Sequence, residues 1–424
     1  MTNRSAPATP KQLNFLRRSF SLPANVLAIS LVSFLNDASS EIIYPLLPVF
    51  LATTLLASPA AIGLIEGAAE STSSLLKLFS GYWSDRRGRR KGFVVFGYSL
   101  ASLARPLLGF ATSWTHVLVL RFTDRIGKGI RSAPRDAMIA DSAAPHELGL
   151  AFGFHRAMDH AGAVVGPLLA YLILQIIAID PNSPTSADFR QLFLLASVPA
   201  LCAVLVAAFL IKERRVTPEV VAVVETQPRL PFRLTLRGFD ANFKRFLFII
   251  ALFTLSNSSD AFLLLRARES GIGAATIPLL WAALHVCKVV SSVIGGDLSD
   301  RFGRKRLIAA GWLVYAGVYA GFAYVDSSIE VWSLFLIYGI YFGLVEGAEK
   351  ALVSDLVAPE QRGTAYGLYN LAFGITVLPA SLLLGELWKW QGAPTAFLAS
   401  AALSLIATLL LITTVKMGIR NDER

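Results

Sequence analysis

Charge is scarce in this chain. Only 16% of its 424 residues are Asp, Glu, Lys or Arg, against about 25% in soluble domains, and the mean hydropathy is +0.56. That composition sets aside a soluble globular protein and points to a polytopic, all-α membrane protein. Cysteine is scarcer still. Cys202 and Cys287 both sit inside apolar runs, which leaves neither a disulfide framework nor a metal cluster to expect. There is no Walker motif or glycine-rich phosphate loop, which argues against an ATP-driven pump. No span-free basic domain interleaved with aromatics is present to bind nucleic acid. No cofactor is expected. The basic-then-apolar start has the outline of a signal peptide, but its apolar run is too long and lacks a small-residue cleavage site, so it reads as a retained first span.

The net charge of +10 is carried between apolar runs, at residues 4–18, 86–91, 212–215, 229–245, 301–306 and 416–424. It therefore reports topology. A bilayer core of about 30 Å takes roughly 20 helical residues per crossing. That ruler gives twelve candidate spans: 23–51, 61–84, 93–112, 116–138, 150–176, 192–211, 246–265, 275–299, 307–324, 331–353, 365–387 and 395–415. An even count puts both termini on one side, and the rule that basic loops stay inside puts that side in the cytoplasm. The opposite loops hold Arg190, Arg266, Arg268 and Lys389. The expected division is a cytoplasmic tail (1–22), a six-helix half (23–211), a charged, proline-bearing linker (212–244), a second six-helix half (245–415) and a cytoplasmic tail (416–424).

The halves repeat. Gly81-Tyr-Trp-Ser-Asp85-Arg86-Arg-Gly88-Arg89-Arg90-Lys91 returns 215 positions later as Gly296-Asp-Leu-Ser-Asp300-Arg301-Phe-Gly303-Arg304-Lys305-Arg306. Asn36-Asp37 in span one answers Asn257 and Asp260 in span seven, and the Asp141–Gly153 stretch answers Asp355–Gly367. The Asp-Arg-x-Gly turn resembles the loop between helices 2 and 3, and 8 and 9, of the major facilitator superfamily. The resemblance covers nearly the whole chain. It implies two six-helix halves related by a pseudo-two-fold repeat, with a substrate cavity between them near the midplane, and a protein that works as a monomer. It also implies that Gly81, Asp85, Arg86, Gly88, Arg89, Gly296, Asp300, Arg301, Gly303 and Arg304 gate one face.

Ionisable side chains deep in spans must face water or one another, since each costs about 2.5–3.5 kcal/mol on insertion scales. At about 1.5 Å rise per residue, Asp37, Lys77, Asp260 and Lys288 fall near mid-membrane, with His285 slightly further out. Arg125 and Lys128 reach similar depth from the other end, and His155, Arg156, Asp159 and His160 lie between these levels. Glu66, Glu70 and Lys77 share one face of span two. Arg121, Arg125, Lys128, Arg131 and Arg135 make a cationic stripe on span four. This stripe is open to two readings: it faces a cavity, or it pairs with Asp124, Asp136, Glu66 and Glu70 to hold helices together. Spans six, nine and twelve carry almost no ionisable group and are expected to face lipid.

Two further patterns resemble that superfamily. Arg125-Ile-Gly-Lys128-Gly129 is similar to its fourth-span R-x-x-Q-G motif, with Lys128 in place of glutamine. Gly153, Gly162 and Gly166-Pro167 are similar to the fifth-span pattern of drug–proton antiporters, without its closing Gly-Gly; the plain reading is close helix packing. The expectation is a secondary transporter, not an enzyme, working by alternating access in the cell inner membrane and driven by protons. Coupling candidates are Asp37, Glu41, Glu70, His155, Asp159, His160, Asp260 and Glu346. The cations suggest a small anionic or zwitterionic solute, and the resemblance of the fifth-span pattern to drug–proton antiporters implies efflux; the alternative is proton-coupled import of an organic anion or siderophore-like solute.

Overall fold

The computed structural model describes residues 22–87, 90–144, 147–213, 236–358 and 361–416. Among them every regular element is helical. Much of the expected linker (214–235) and the tails (1–21, 417–424) lie outside these residues, as do Gly88 and Arg89 of the first Asp-Arg turn.

The first half opens with α1 (Ala24–Ile43) and α2 (Leu47–Thr53), two pieces of one span parted around Pro45, whose missing N–H interrupts the ladder. Then come α3 (Pro59–Arg87), α4 (Lys91–Leu107) running into a 3-10 turn, α5 (Trp114–Ser142), α6 (Leu148–Ile177), α7 (Ser186–Leu195) and α8 (Ser197–Phe209). The second half holds α9 (Ala241–Ser256) and α10 (Ala261–Glu269), parted at the turn-forming run Asn257-Ser-Ser-Asp260, where short polar side chains compete with the helix for its backbone groups. It continues with α11 (Thr276–Phe302), α12 (Arg304–Tyr324), α13 (Ser328–Asp355) and α14 (Arg362–Thr414).

Among the described residues eight helical segments are long and apolar enough to cross a membrane by length and composition. The helices α3 and α5 are as long but carry the interior charges, and Thr276–Ser292 of α11 is a shorter apolar stretch. The 53 residues of α14 would measure roughly 80 Å if straight, more than twice a bilayer core. Its ladder breaks at Gly392, where φ is 86°, so it supplies two spanning lengths.

Start positions differ from the sequence expectation where a cap, and not hydropathy, decides. Span six begins at Ser186, six residues early, because Thr185 and Asp188 form a capping box; span seven begins at Ala241, because Asp240 accepts from the N–H groups of Ala241 and Asn242.

Within the first half α1 packs on α6 and α8, and α5 on α3 and α4; within the second α9 packs on α14, and α13 on α11 and α12. Two long contacts join the halves, α3 with α14 and α6 with α11. Span nine is not purely a lipid-facing scaffold as expected. Trp312, Tyr315 and Tyr319 of α12 are fully buried, with Trp312 stacked on Phe253 at 4.2 Å between ring centroids, while Leu313 and Tyr324 are exposed.

Candidate functional site

The interior charges gather where α1, α3, α5 and α6 meet, facing α11 and α13. On α5 most of the cationic stripe has partners in the protein. Arg121 grips Glu66 of α3 with two hydrogen bonds, Nε to Oε1 at 3.0 Å and Nη2 to Oε2 at 2.7 Å. The Arg125 Nε lies 3.9 Å from Asp124 Oδ2, too far for a hydrogen bond. Lys128, Arg125 and Lys77 surround Glu70 electrostatically. Arg131 lies over the Tyr98 ring at 4.4 Å, and Arg135 bonds Asp136 and Ser33. Arg121 and Arg135 thus join α5 to α3 and α1, whereas Arg125 Nε and Arg131 Nη1 are buried with no hydrogen-bond partner among the described residues.

Orphan acceptors lie in the same neighbourhood. The Oδ1 of Asp159 and both ring nitrogens of His155 on α6 are buried without hydrogen bonds among the described residues, although His155 Nε2 comes within 3.6 Å of Asp159 Oδ2. Asp37 faces Asp159, Arg131 and Lys128, and accepts from Asn36 Nδ2 at 2.8 Å. Gly162 and Gly166 let α6 close on α1 beside these carboxylates. A Cβ at Gly162 would lie 2.6 Å from the Phe34 carbonyl oxygen and 3.1 Å from the Asp37 Cβ; one at Gly166 would lie 2.7 Å from the Glu41 Cβ. Gly153 does not share that role, since a Cβ there meets nothing within 4 Å. Pro167 is buried inside α6.

The second half contributes a smaller set. Asp260, at the break between α9 and α10, accepts from Tyr338 Oη at 2.7 Å and lies 3.8 Å from Lys288 Nζ. Lys288 in turn sits 3.5 Å from the Phe342 ring centroid. Asn257 donates to Tyr341 Oη at 3.3 Å. His285 packs edge-on against Trp281 and has no hydrogen-bond partner among the described residues. Glu346 pairs with Lys350 at 3.0 Å on the exposed side of α13, and it interacts electrostatically with Arg156 and His160 of the first half.

The two ends of the bundle differ. At the end away from the Asp-Arg turns, Trp281 Nε1 of α11 donates to Glu41 Oε2 of α1 at 2.7 Å, Tyr44 packs on Trp281, and Ala274 N bonds the Asn182 carbonyl. This end is closed. Towards the basic end, Arg156, Glu346, Lys350 and Asn370 are exposed; at such depth they must meet water, not lipid.

At the Asp-Arg turns, Arg304 bonds Asp355 and the Ala351 carbonyl, and the corresponding stretch of the first half joins Arg90 to Asp141. Gly303 turns the chain at φ 87°, Arg301 is exposed, and a Cβ at Gly81 would be 3.3 Å from that of Ala133. The side chains of Asp85, Arg86 and Asp300 and the surroundings of Gly296 lie outside the described set, with Gly88 and Arg89.

Three residues escaped sequence reasoning. Arg105 of α4, 4% exposed, bonds Asp124 through Nε at 3.3 Å and holds both the Asn36 carbonyl and its side-chain oxygen at 2.9 Å. Glu349 on α13 accepts from Trp312 Nε1 at 3.0 Å and Tyr369 Oη at 2.6 Å. Trp281 carried no charge to single it out. Arg105 and Glu349 are each an ionisable residue inside an apolar run, but Arg105 has no periodic partner and Glu349 stands between the equally charged Glu346 and Lys350.

The profile of the Major Facilitator Superfamily matches residues 29–378 and 246–422. An MFS-type transporter of Methanocaldococcus jannaschii is 38% identical over 397 residues, 92% of this chain and 95% of its own. Sugar efflux transporter B of Salmonella typhimurium is 24% identical over 98% of this chain and all of its own. Among solved structures, a bacterial homolog of the human lysosomal transporter Spinster, inward-facing and occupied, superposes with a TM-score of 0.74 at 17% identity, covering 93% and 96% of the two chains. A D-xylose–proton symporter gives 0.73 at 19% identity, covering 93% and 98%. With that profile across its length and a 38% identical relative matched nearly end to end, the chain belongs to the major facilitator superfamily of membrane transporters.

Proposed function

We propose that the protein exports a small zwitterionic organic solute across the cell inner membrane in exchange for protons, with twelve crossings, both termini in the cytoplasm and the monomer as the working unit. The observation that carries the substrate class is an orphan donor and an orphan acceptor around Asp37, Arg131 Nη1 and Asp159 Oδ1, with Arg125 Nε a further orphan donor on the same stripe. Buried polar groups are ordinarily hydrogen-bonded, so a partner with both an acceptor and a donor end suits them. The planar guanidinium fork matches a carboxylate or phosphate.

The solute's charge also sets the direction of coupling. A positive group on the solute competes with the proton for the Asp37–Asp159 pair, so proton and solute bind in turn and exchange. A plain anion instead needs Asp37 neutralised to free Arg131 and Lys128, so proton and solute bind together. The second arrangement is symport, and it is the import reading of the same site. Export is supported by the name of the sugar efflux relative. In this reading the structure is the inward-open state: the far end is latched by Glu41 and Trp281, and Arg156, Glu346 and Asn370 are exposed towards the basic end.

Everted vesicles under an imposed pH gradient test it, with zwitterionic and plain anionic solutes compared across pH. Exchange predicts affinity for the zwitterion that rises with pH in wild type and is flat in Asp37→Asn. Affinity that falls as pH rises, with uptake following the proton inward, establishes symport instead. Lys128→Gln is expected to weaken anion-bearing solutes by about tenfold, the range of a charge-assisted contact, and to spare neutral ones.

A further inference from the structure

We propose that the cleft between the start of α9 and the end of α14 is a seat for the phosphate headgroup of an anionic glycerophospholipid. The cleft is a cavity of about 390 Å³ lined by Lys244, Arg245, Phe248, Ile249, Leu410 and Thr414. It opens at the basic end, in the first two turns of α9 and the last turn of α14. That is the level where a bilayer's headgroups meet a spanning helix.

Three features suit such a ligand. Lys244 and Arg245 are exposed, and neither side chain has a hydrogen bond or ion pair among the described residues. The carboxylate nearest in sequence, Asp240, is turned to its own helix, accepting from Ala241 N at 2.7 Å and Asn242 N at 3.3 Å, and makes no ion pair with either cation among the described residues. Below them the wall turns apolar, with Phe248 exposed and Leu410 partly so, which fits the glycerol and first acyl carbons. The cleft is also preformed. Asn242 bonds both the carbonyl and the N–H of Lys416, pinning the two helix ends together at its mouth. Basic pockets between spanning helices on the cytoplasmic side are a recurring way to hold anionic headgroups. This site is separate from the transport cavity and does not rest on the solute or coupling proposed above.

The test uses the full chain in phosphatidylcholine nanodiscs with or without phosphatidylglycerol, followed by native mass spectrometry of lipid retained after detergent extraction. Wild type is expected to retain one phosphatidylglycerol. The Lys244→Gln/Arg245→Gln double variant is expected to bind it on the order of 30-fold more weakly, the effect of removing two near-surface charges, with an unchanged melting temperature. Lys244→Arg is expected to retain it. Equal retention by the double variant, or phosphatidylcholine held as tightly, overturns the proposal. Displacement by millimolar glycerol 3-phosphate as effectively as by lipid also overturns it, by assigning the site to a soluble phosphate ester.

Discussion

Arg105 shows how much one side chain can fix in a low-dielectric interior. Its guanidinium ties Asp124 of α5 to both oxygens of Asn36 on α1, and the Asn36 amide then has its NH₂ free to meet Asp37. The orientation of the proposed coupling carboxylate is thus set from a third helix. Arg105→Lys keeps the charge beside Asp124 but loses the two-pronged grip, because lysine is a point charge without a fork. We expect transport at least about tenfold slower and an altered pH profile, with membrane insertion unaffected; an unchanged profile removes Arg105 from the positioning of Asp37. Asp124→Asn instead leaves a buried guanidinium short of charge and is expected to lose stability by about 3–5 kcal/mol, read as a lowered melting temperature. The Arg121–Glu66 pair was legible in the sequence because both lie on periodic polar faces. Arg105 was not, because a single arginine before Pro106 in an alanine- and leucine-rich run has no periodic partner, and its acceptors lie on helices 19 and 69 residues away.

At the scale of elements, glycine spacing marks helix approach only when the face is known. Gly162 and Gly166 face α1 closely, while Gly153, part of the same sequence pattern, meets nothing. Gly162→Ala should push α1 and α6 apart, costing about 1–3 kcal/mol and slowing transport through Asp37. Gly153→Ala should be neutral or stabilising by up to about 1 kcal/mol from helix propensity. Melting curves of the two purified variants separate these cases, and equal losses would mean that the spacing, not the contact, is what matters. Helix existence and the duplication were readable because hydropathy and motif repeat over hundreds of residues. The breaks at Pro45 and at Asn257–Asp260 were not anticipated, since the mean hydropathy of a window is blind to where a ladder is interrupted.

For the whole molecule, the closed far end rests on few polar contacts. The bond from Trp281 to the Glu41 carboxyl is worth about 1.5–3 kcal/mol with Glu41 ionised, which corresponds to a shift of roughly 10–150-fold between closed and open populations. Trp281→Phe keeps a ring against Tyr44 and deletes the donor. It should raise the labelling rate of a cysteine placed at Asn182 by a membrane-impermeant maleimide, and unaltered labelling would show that apolar packing alone closes this end. Contacts between halves were the least legible part of the fold, because periodicity identifies a polar face without naming what it meets.

The arginines at the far end carry a consequence in time. Arg190 bonds the carbonyls of Gly109 and Ala111, and Arg266 bonds those of Phe322 and Val325. In the proposed topology, with both termini in the cytoplasm, each arginine is carried to the opposite side against the bias that retains basic residues. Arg190 arrives after its acceptors have been made and can dock at once. Arg266 is made 56 residues before Phe322, so at about 5–20 residues per second of synthesis it waits several seconds for these carbonyls, with the half-exposed Glu269 of its own helix as its nearer partner. During biogenesis the first half can close as it emerges, while the second stays loose until span nine is complete.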